Sequence, residues 1–260
     1  MPQVTVSVVQ MNIKDGDPRK NWATMQELTQ EAARRGSELV VLPELWDNGY
    51  ALDRAKETAS PLAGGLFAQV GALARSLNVV ILGSMLEKRG VGVYNTVAVF
   101  SPRAGTMGAY RKIHLFEPLQ EPTYLSPGEA PLAIDLPWGT TGIAICYDLR
   151  FPELLRRYAV EGAKVIVLPA EWPAARIHHW RTLLQARAIE NQYYVIGCNR
   201  VGEYNGTVFG GHSMVVDPWG GLVAEAGEDE TILTLKINTD MVDEVRAKLP
   251  VLGDRRPNLY

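Results

Sequence analysis

The sequence predicts an α/β protein folded as a four-layer αββα sandwich of two pseudo-repeated halves. Three observations carry that expectation. Short Val/Ile/Leu runs bounded by Pro and Gly alternate with segments of helical period, the pattern of sheets covered by helices. The two halves also echo each other in order. Arg35-Gly36-Ser37-Glu38-Leu39-Val40-Val41-Leu42-Pro43 lies over Glu161-Gly162-Ala163-Lys164-Val165-Ile166-Val167-Leu168-Pro169. Asn78–Gly83 lies over Gln192–Gly197, and the turn Pro102–Gly105 lies over Pro218–Gly221. Finally, the glycine fingerprint of a dinucleotide-binding doubly wound sheet is missing. Gly90-Val91-Gly92 has no third glycine and opens no helix, so it reads as a turn. Two helix-covered sheets packed together give the four layers.

Taken in order, the alternation in Val4–Met11 gives a first strand. Asp17-Pro18 caps a helix with Trp22, Met25, Leu28 and Ala32 on one face and Gly36 as its stop. Leu39–Leu42 is a buried strand broken by Pro43 into the loop Glu44–Tyr50. A second helix carries Leu66, Val70, Leu73 and Leu77; strands follow at Val79–Leu82, Thr96–Phe100 and Met107–Arg111. Lys112–Glu129, with Pro118, Pro122 and Pro127-Gly128, reads as a long polar loop. After a strand ending near Cys146 come a helix from Pro152, the strand Val165–Leu168 and a helix from about His178 to Asn191. Strands at Tyr194–Asn199, Ser213–Val216, Leu222–Ala224 and Ile232–Ile237 precede a short helix near Val242–Lys248. The tail Gly253–Tyr260 reads as extended.

No linker or charge run divides the 260 residues, which points to a single domain over 1–260. The formal charge of −3 argues against a nucleic-acid or membrane-surface partner. The chain enters its first strand without a signal-peptide layout, no apolar run reaches membrane-spanning length, and two cysteines make no disulfide framework. A cytoplasmic protein is expected, with no metal or other cofactor. His178 and His179 are adjacent, so they point to different sides of a helix and cannot clamp one metal. Gly211-His212-Ser213-Met214-Val215 lacks the closing glycine of a nucleophile elbow.

The stretch Gly142–Glu153 organises the rest. An Ile-rich run ends on Cys146, breaks into Tyr147-Asp148-Leu149-Arg150, and restarts as a helix with Pro152 and Glu153 in its first turn. A thiol is thereby set at the end of a core strand, where free backbone N–H groups can meet a developing negative charge. A lone strand cysteine is more often inert core. Here it is accompanied by Leu42-Pro43-Glu44, Tyr110-Arg111-Lys112 and Glu121, and three of these four stretches leave the C-terminal end of a strand, the edge where α/β sites are built.

In these stretches, and in His179-Trp180, Ala186–Gln192, Gly211–Met214 and Asp217–Gly220, the sequence resembles the nitrilase (carbon–nitrogen hydrolase) superfamily almost end to end. The resemblance implies an αββα fold, at least a homodimer, and a Glu-Lys-Cys triad with a second Glu, mapping onto Glu44, Lys112, Cys146 and Glu121. In that reading Cys146 is the nucleophile, Glu44 the base, and Lys112 lowers the thiol pKa and meets the oxyanion with the Tyr147 N–H. Glu121 fixes Lys112 and the amide nitrogen. Asp148, Arg150 and Glu153 are expected to form a buried ion network, and His114 to be a structural hydrogen-bonding residue.

Cys146-Tyr147-Asp148, with Tyr where true nitrilases carry Trp, resembles the amidase branch that includes omega-amidases acting on 2-oxoglutaramate. The expected substrate is therefore a small omega-amide of a dicarboxylic acid. Arg176 is the candidate carboxylate partner, with Arg150 as the alternative; the other reading of Arg176 is a helix-flanking residue facing water. Trp46, Tyr50, Phe116, Tyr124 and Trp172 are the candidate apolar walls, and Glu171 a carboxylate facing the site from the second half. The readings left open are an aliphatic amidase or esterase, an N-carbamoyl hydrolase, a nitrilase, an acyltransferase and a non-catalytic scaffold.

Overall fold

The computed structural model describes residues 3–259. The first half runs β1 (Gln3–Gln10), α1 (Pro18–Arg34), β2 (Leu39–Val41), α2 (Ala55–Thr58), α3 (Gly65–Leu77), β3 (Val80–Arg89), β4 (Gly92–Ser101) and β5 (Gly105–Arg111). A four-residue helix α4 (Glu121–Tyr124) leads to β6 (Leu132–Leu136), β7 (Gly139–Ile143), α5 (Pro152–Val160), β8 (Val165–Ala170), α6 (Ile177–Asn191) and β9 (Tyr194–Asn199). The hairpin β10 (Val201–Tyr204) and β11 (Thr207–Gly210) follows, then β12 (Met214–Val216), β13 (Leu222–Glu225), β14 (Thr231–Asn238) and α7 (Asp240–Lys248).

The pseudo-repeat is real in the topology. One sheet has the order β14-β1-β2-β3-β4-β5, the other β13-β12-β9-β8-β7-β6. Without β14 and β6, both read as three parallel strands followed by two antiparallel ones: β1-β2-β3-β4-β5 and β7-β8-β9-β12-β13. The matching helices even end alike. Asn78 after α3 and Gln192 after α6 both adopt φ +55°, the left-handed cap that closes a helix.

Period-two alternation divides the first sheet between two cores. Val6, Val8, Val41, Leu82 and Val99 pack with Ile143, Val165, Val167 and Ile196 of the second sheet, while Val9, Val40, Ile81 and Phe100 pack with Met25 of α1 and Phe67 and Val70 of α3. Leu155, Tyr158, Trp180 and Leu184 of α5 and α6 cover the other sheet. The layers are therefore helix, sheet, sheet, helix. At α1 the Asp17 side chain accepts from Lys20 N at 3.1 Å, and Gly36 follows at φ +83°.

Several expected elements differ. The β3–β4 hairpin is much longer than its apolar segments, because its polar residues are satisfied internally: Ser84 Oγ accepts from Leu45 N at 2.8 Å, and Thr96 Oγ1 donates to Glu87 at 2.8 Å. Its turn is the Gly90-Val91 corner. The β10–β11 hairpin, unexpected from its mixed composition, turns at Asn205 (φ +46°) and Gly206 (φ +76°), a pair suited to a tight hairpin. The polar loop after Lys112 contains a 3-10 turn at Glu117–Leu119 and α4. The tail is not extended: Gly253 N bonds Pro250 O at 2.9 Å, and Pro257–Leu259 form a 3-10 turn closed by Leu259 N on Arg256 O at 2.9 Å. Its last residue, Tyr260, lies outside the described residues. Among the described residues, no helix is long and apolar enough to cross a membrane.

Candidate active site

The site is built where the parallel strands of both sheets end. Glu44 follows β2, Lys112 follows β5, Cys146 comes three residues after β7, and Glu121 opens α4. Glu44, Lys112 and Glu121 are buried, and Cys146 is 5% exposed. Lys112 Nζ donates to Glu44 Oε1 at 2.8 Å and to Glu121 Oε1 at 2.6 Å. Every other visible bond at these carboxylates fixes them further. Asn95 Nδ2 donates to Glu44 Oε1 at 2.8 Å, the Glu171 N–H to Glu44 Oε2 at 2.8 Å, the Tyr50 hydroxyl to Glu121 Oε1 at 2.7 Å, and the Phe116 N–H to Glu121 Oε2 at 2.8 Å.

Burial alone would push the Lys112 ammonium down, but Glu121 and Glu44 together outweigh it and hold its pKa well above the usual lysine value. Lys112 is therefore a fixed cation. Lys112 does lower the Cys146 thiol, as expected, but two larger effects oppose it. Burial and then the Glu44 carboxylate push it well above the ordinary thiol value, and Lys112 offsets this only in part. The resting group is a neutral thiol beside a base. Burial also raises Glu121 above the usual carboxylate value, against the pull of Lys112.

Cys146 has φ +45°, a conformation that costs a non-glycine residue of order 1–3 kcal/mol and turns its side chain out at the strand end. What holds the turn is Asp148. Its carboxylate accepts from the Ile145 N–H at 2.9 Å, the Tyr110 hydroxyl at 2.7 Å and the His114 N–H at 3.1 Å. His114 Nδ1 lies 2.7 Å from the same carboxylate, and its ring stacks on Phe151 with centroids 3.6 Å apart, so His114 is structural as expected. The expected Asp148–Arg150–Glu153 ion network is not formed. Arg150 instead lies over the Trp172 ring at 4.9 Å, and Glu153 is exposed. Tyr147 sits in the first turn of the 3-10 helix Cys146–Arg150, where backbone N–H groups are left free.

A narrow cavity opens beside the thiol, lined by Phe116, Cys146, Tyr147, Arg150, Glu171, Trp172, Pro173 and Arg176. Of the expected walls, Phe116 and Trp172 line it. Trp46 is not: it is buried in the helix-side core, 6.4 Å from the Trp22 ring, because Gly83 leaves room for it under β3. Tyr50 and Tyr124 line a separate neighbouring cleft with Asp53 and Tyr204, and Tyr50 serves Glu121 instead. Arg176 both lines the cavity and lies over the Phe116 ring at 5.5 Å. Glu171 lines it too, but its Oε2 is taken by Arg200 Nη1 at 2.7 Å. Sequence reasoning missed Asn95 and Arg200. A buried-strand Asn in Val93-Tyr94-Asn95-Thr96 was the available signal for the first; a single Arg after a strand gave none for the second.

The other cysteine is inert core. Cys198 is fully buried in β9, with its sulfur 3.3 Å from Val9 O and 3.4 Å from Val41 O.

The profile of the family described as carbon-nitrogen hydrolase matches residues 5–247. The 2-oxoglutaramate amidase of Bacillus subtilis is 37% identical over 257 residues, 98% of this chain and 99% of that one. The omega-amidase NIT2-A of Xenopus laevis is 35% identical, over 90% of this chain and 88% of the other. Among solved structures, Nit3 of Saccharomyces cerevisiae, a member of branch 10 of the nitrilase superfamily, superposes with a TM-score of 0.90 at 31% identity, over 98% of this chain and 97% of that one.

Proposed function

Because the chain belongs to the carbon-nitrogen hydrolase family, as an amidase-type member of the nitrilase superfamily, we propose that it cleaves a small omega-amide of a dicarboxylic acid, such as 2-oxoglutaramate, through a Cys146 acyl-enzyme. The observation that carries the chemistry is the buried Glu44–Lys112–Glu121 array beside a neutral, strained Cys146 thiol. Since the thiol is held protonated, attack is coupled to proton transfer. Cys146 Sγ bonds to the amide carbon as Glu44 takes the thiol proton. The carbonyl electron pair moves to oxygen, which the Lys112 ammonium and the Tyr147 N–H stabilise. Collapse breaks the C–N bond, and Glu44 passes its proton to the leaving nitrogen, releasing ammonia. Water then attacks the thioester, giving its proton to Glu44, and the free acid leaves as Cys146 regains a proton.

Three features favour a short acidic chain. The cavity beside the thiol is narrow, closely walled by Phe116, Trp172 and Pro173, which suits a short chain. Its polar lining includes two guanidiniums, Arg150 and Arg176, suited to a carboxylate distal to the amide. The relatives named as 2-oxoglutaramate amidase and omega-amidase match almost end to end. The test is ammonia release from 2-oxoglutaramate and from a neutral amide of equal length. Preference for the acid supports the assignment; equal rates shift it to an aliphatic amidase. A homodimer is proposed as well, since Ile189, Trp219, Leu222 and Val223 are exposed; light scattering in solution tests it.

A further inference from the structure

Arg200 follows β9 and is fully buried, yet it does not line the cavity beside the thiol. Its guanidinium is saturated. Nη1 donates to Glu171 Oε2 at 2.7 Å and to Asp15 Oδ1 at 3.1 Å, Nη2 to Ile13 O at 2.5 Å and Asp15 Oδ2 at 3.1 Å, and Nε to Val201 O at 3.1 Å. Both carboxylates it binds continue into the catalytic array. The residue whose side chain Arg200 holds, Glu171, donates its backbone N–H to Glu44 Oε2 at 2.8 Å, and its carbonyl lies 4.0 Å from Cys146 Sγ. On the other side, Asp15 Oδ1 accepts the Tyr50 N–H at 2.8 Å, and the Tyr50 hydroxyl donates to Glu121 Oε1 at 2.7 Å.

We propose that Arg200 is a positioning residue for this hydrolysis: through Glu171 it fixes the Glu44 base, and through Asp15 and Tyr50 it fixes Glu121. The inference rests on the acyl-enzyme reading above. The fold makes the link informative, since Asp15 and Tyr50 come from the first half and Glu171 and Arg200 from the second. One guanidinium therefore sets the register of the two halves behind the site. Stability is a poor reason for it. Buried ion pairs often do no better than well-packed apolar residues of the same volume, because desolvation consumes the Coulombic gain. Geometry is the better reason: a misplacement of about 1 Å in a catalytic group can cost about 100-fold in rate. The fork shape matters too. A lysine is a point charge that cannot serve two carboxylates and two carbonyls at fixed angles.

The test compares wild type, Arg200→Lys and Glu171→Gln on 2-oxoglutaramate. It reads kcat per active site, titrated with a thiol reagent at Cys146, together with KM and thermal melting. The expected result for Arg200→Lys is a fall in kcat per titrated site of about 10- to 100-fold with KM changed less than about threefold. For Glu171→Gln, which keeps an oxygen acceptor for Arg200, a smaller fall in kcat is expected, again without a matching rise in KM. A purely structural role would lower melting and the titrated fraction but leave kcat per site unchanged, and that result overturns the proposal. If Arg200→Lys does not fold, unchanged kcat per site in Glu171→Gln overturns it. Absence of wild-type turnover would instead refute the substrate assignment, and turnover surviving in Cys146→Ala the acyl-enzyme reading.

Discussion

Lys112 Nζ lies 2.8 Å from Glu44 Oε1 with both side chains fully buried, and Glu121 takes a second bond from the same ammonium. Two carboxylates share one cation, so the array holds one acid more than the lysine can neutralise. In the mechanism proposed above, Glu44 is the carboxylate that takes the thiol proton while Lys112 stays charged.

Lys112→Ala is expected to fail twice over. Losing an oxyanion donor costs about 10²–10³ in kcat, and unpairing buried charges costs about 3–5 kcal/mol of stability. Lost activity with unchanged urea denaturation would show that the array is not the tightly coupled buried unit seen here.

The raised thiol predicts how Cys146 labels with pH. Because burial and Glu44 hold it above the ordinary thiol value, alkylation by iodoacetamide should keep rising through pH 9 without levelling. Mass spectrometry should place the label on Cys146 before Cys198, which is sealed inside β9. A plateau below pH 8 would indicate a preformed thiolate.

Much of this site was legible because it depends on residues at strand ends. Pro43-Glu44, Arg111-Lys112 and Cys146-Tyr147-Asp148 each mark the place where an apolar run stops, and the repeat supplied the matching topology. What stayed hidden depends on where side chains go after the loop folds. Trp46 and Tyr50 sit in one loop, yet Trp46 drops into the space at Gly83 while Tyr50 reaches Glu121. The net thiol shift was hidden for a similar reason: the lowering by Lys112 is visible in a motif, but the depth of burial that outweighs it is not. Arg200 acts through contacts with Asp15, 185 residues away in sequence, which no local pattern encodes.

A second carboxyl gives a pH test of stability. Asp47 is fully buried, and burial pushes it up to about 7, although the Leu86 N–H donates to its Oδ2 at 3.3 Å. Between the unfolded value near 4 and pH 7, the folded state keeps a proton that the unfolded chain has lost. Stability should therefore fall across that window, by a few kcal/mol at about 1.4 kcal/mol per unit, and level off above it. Asp47→Asn should remove that part of the slope and be the more stable protein at pH 8 in urea titrations. An unaltered slope would mean that Asp47 ionises freely in the fold.

Arg176→Ala should selectively weaken turnover of 2-oxoglutaramate, with KM rising about tenfold or more, while a neutral amide of equal length changes little. If both substrates respond alike, Arg176 shapes the wall through Phe116 rather than binding a carboxylate, and Arg150→Ala becomes the discriminating variant.

The most direct test of the account is ammonia release by Cys146→Ala, measured beside wild type on 2-oxoglutaramate with circular dichroism to confirm the fold. The side chain lost is one sulfur at the head of the 3-10 turn, so the structure around Asp148 should remain. Release at the uncatalysed background is the predicted result. Ammonia release at or near the wild-type rate from the folded variant would contradict a Cys146 nucleophile, and with it the acyl-enzyme mechanism.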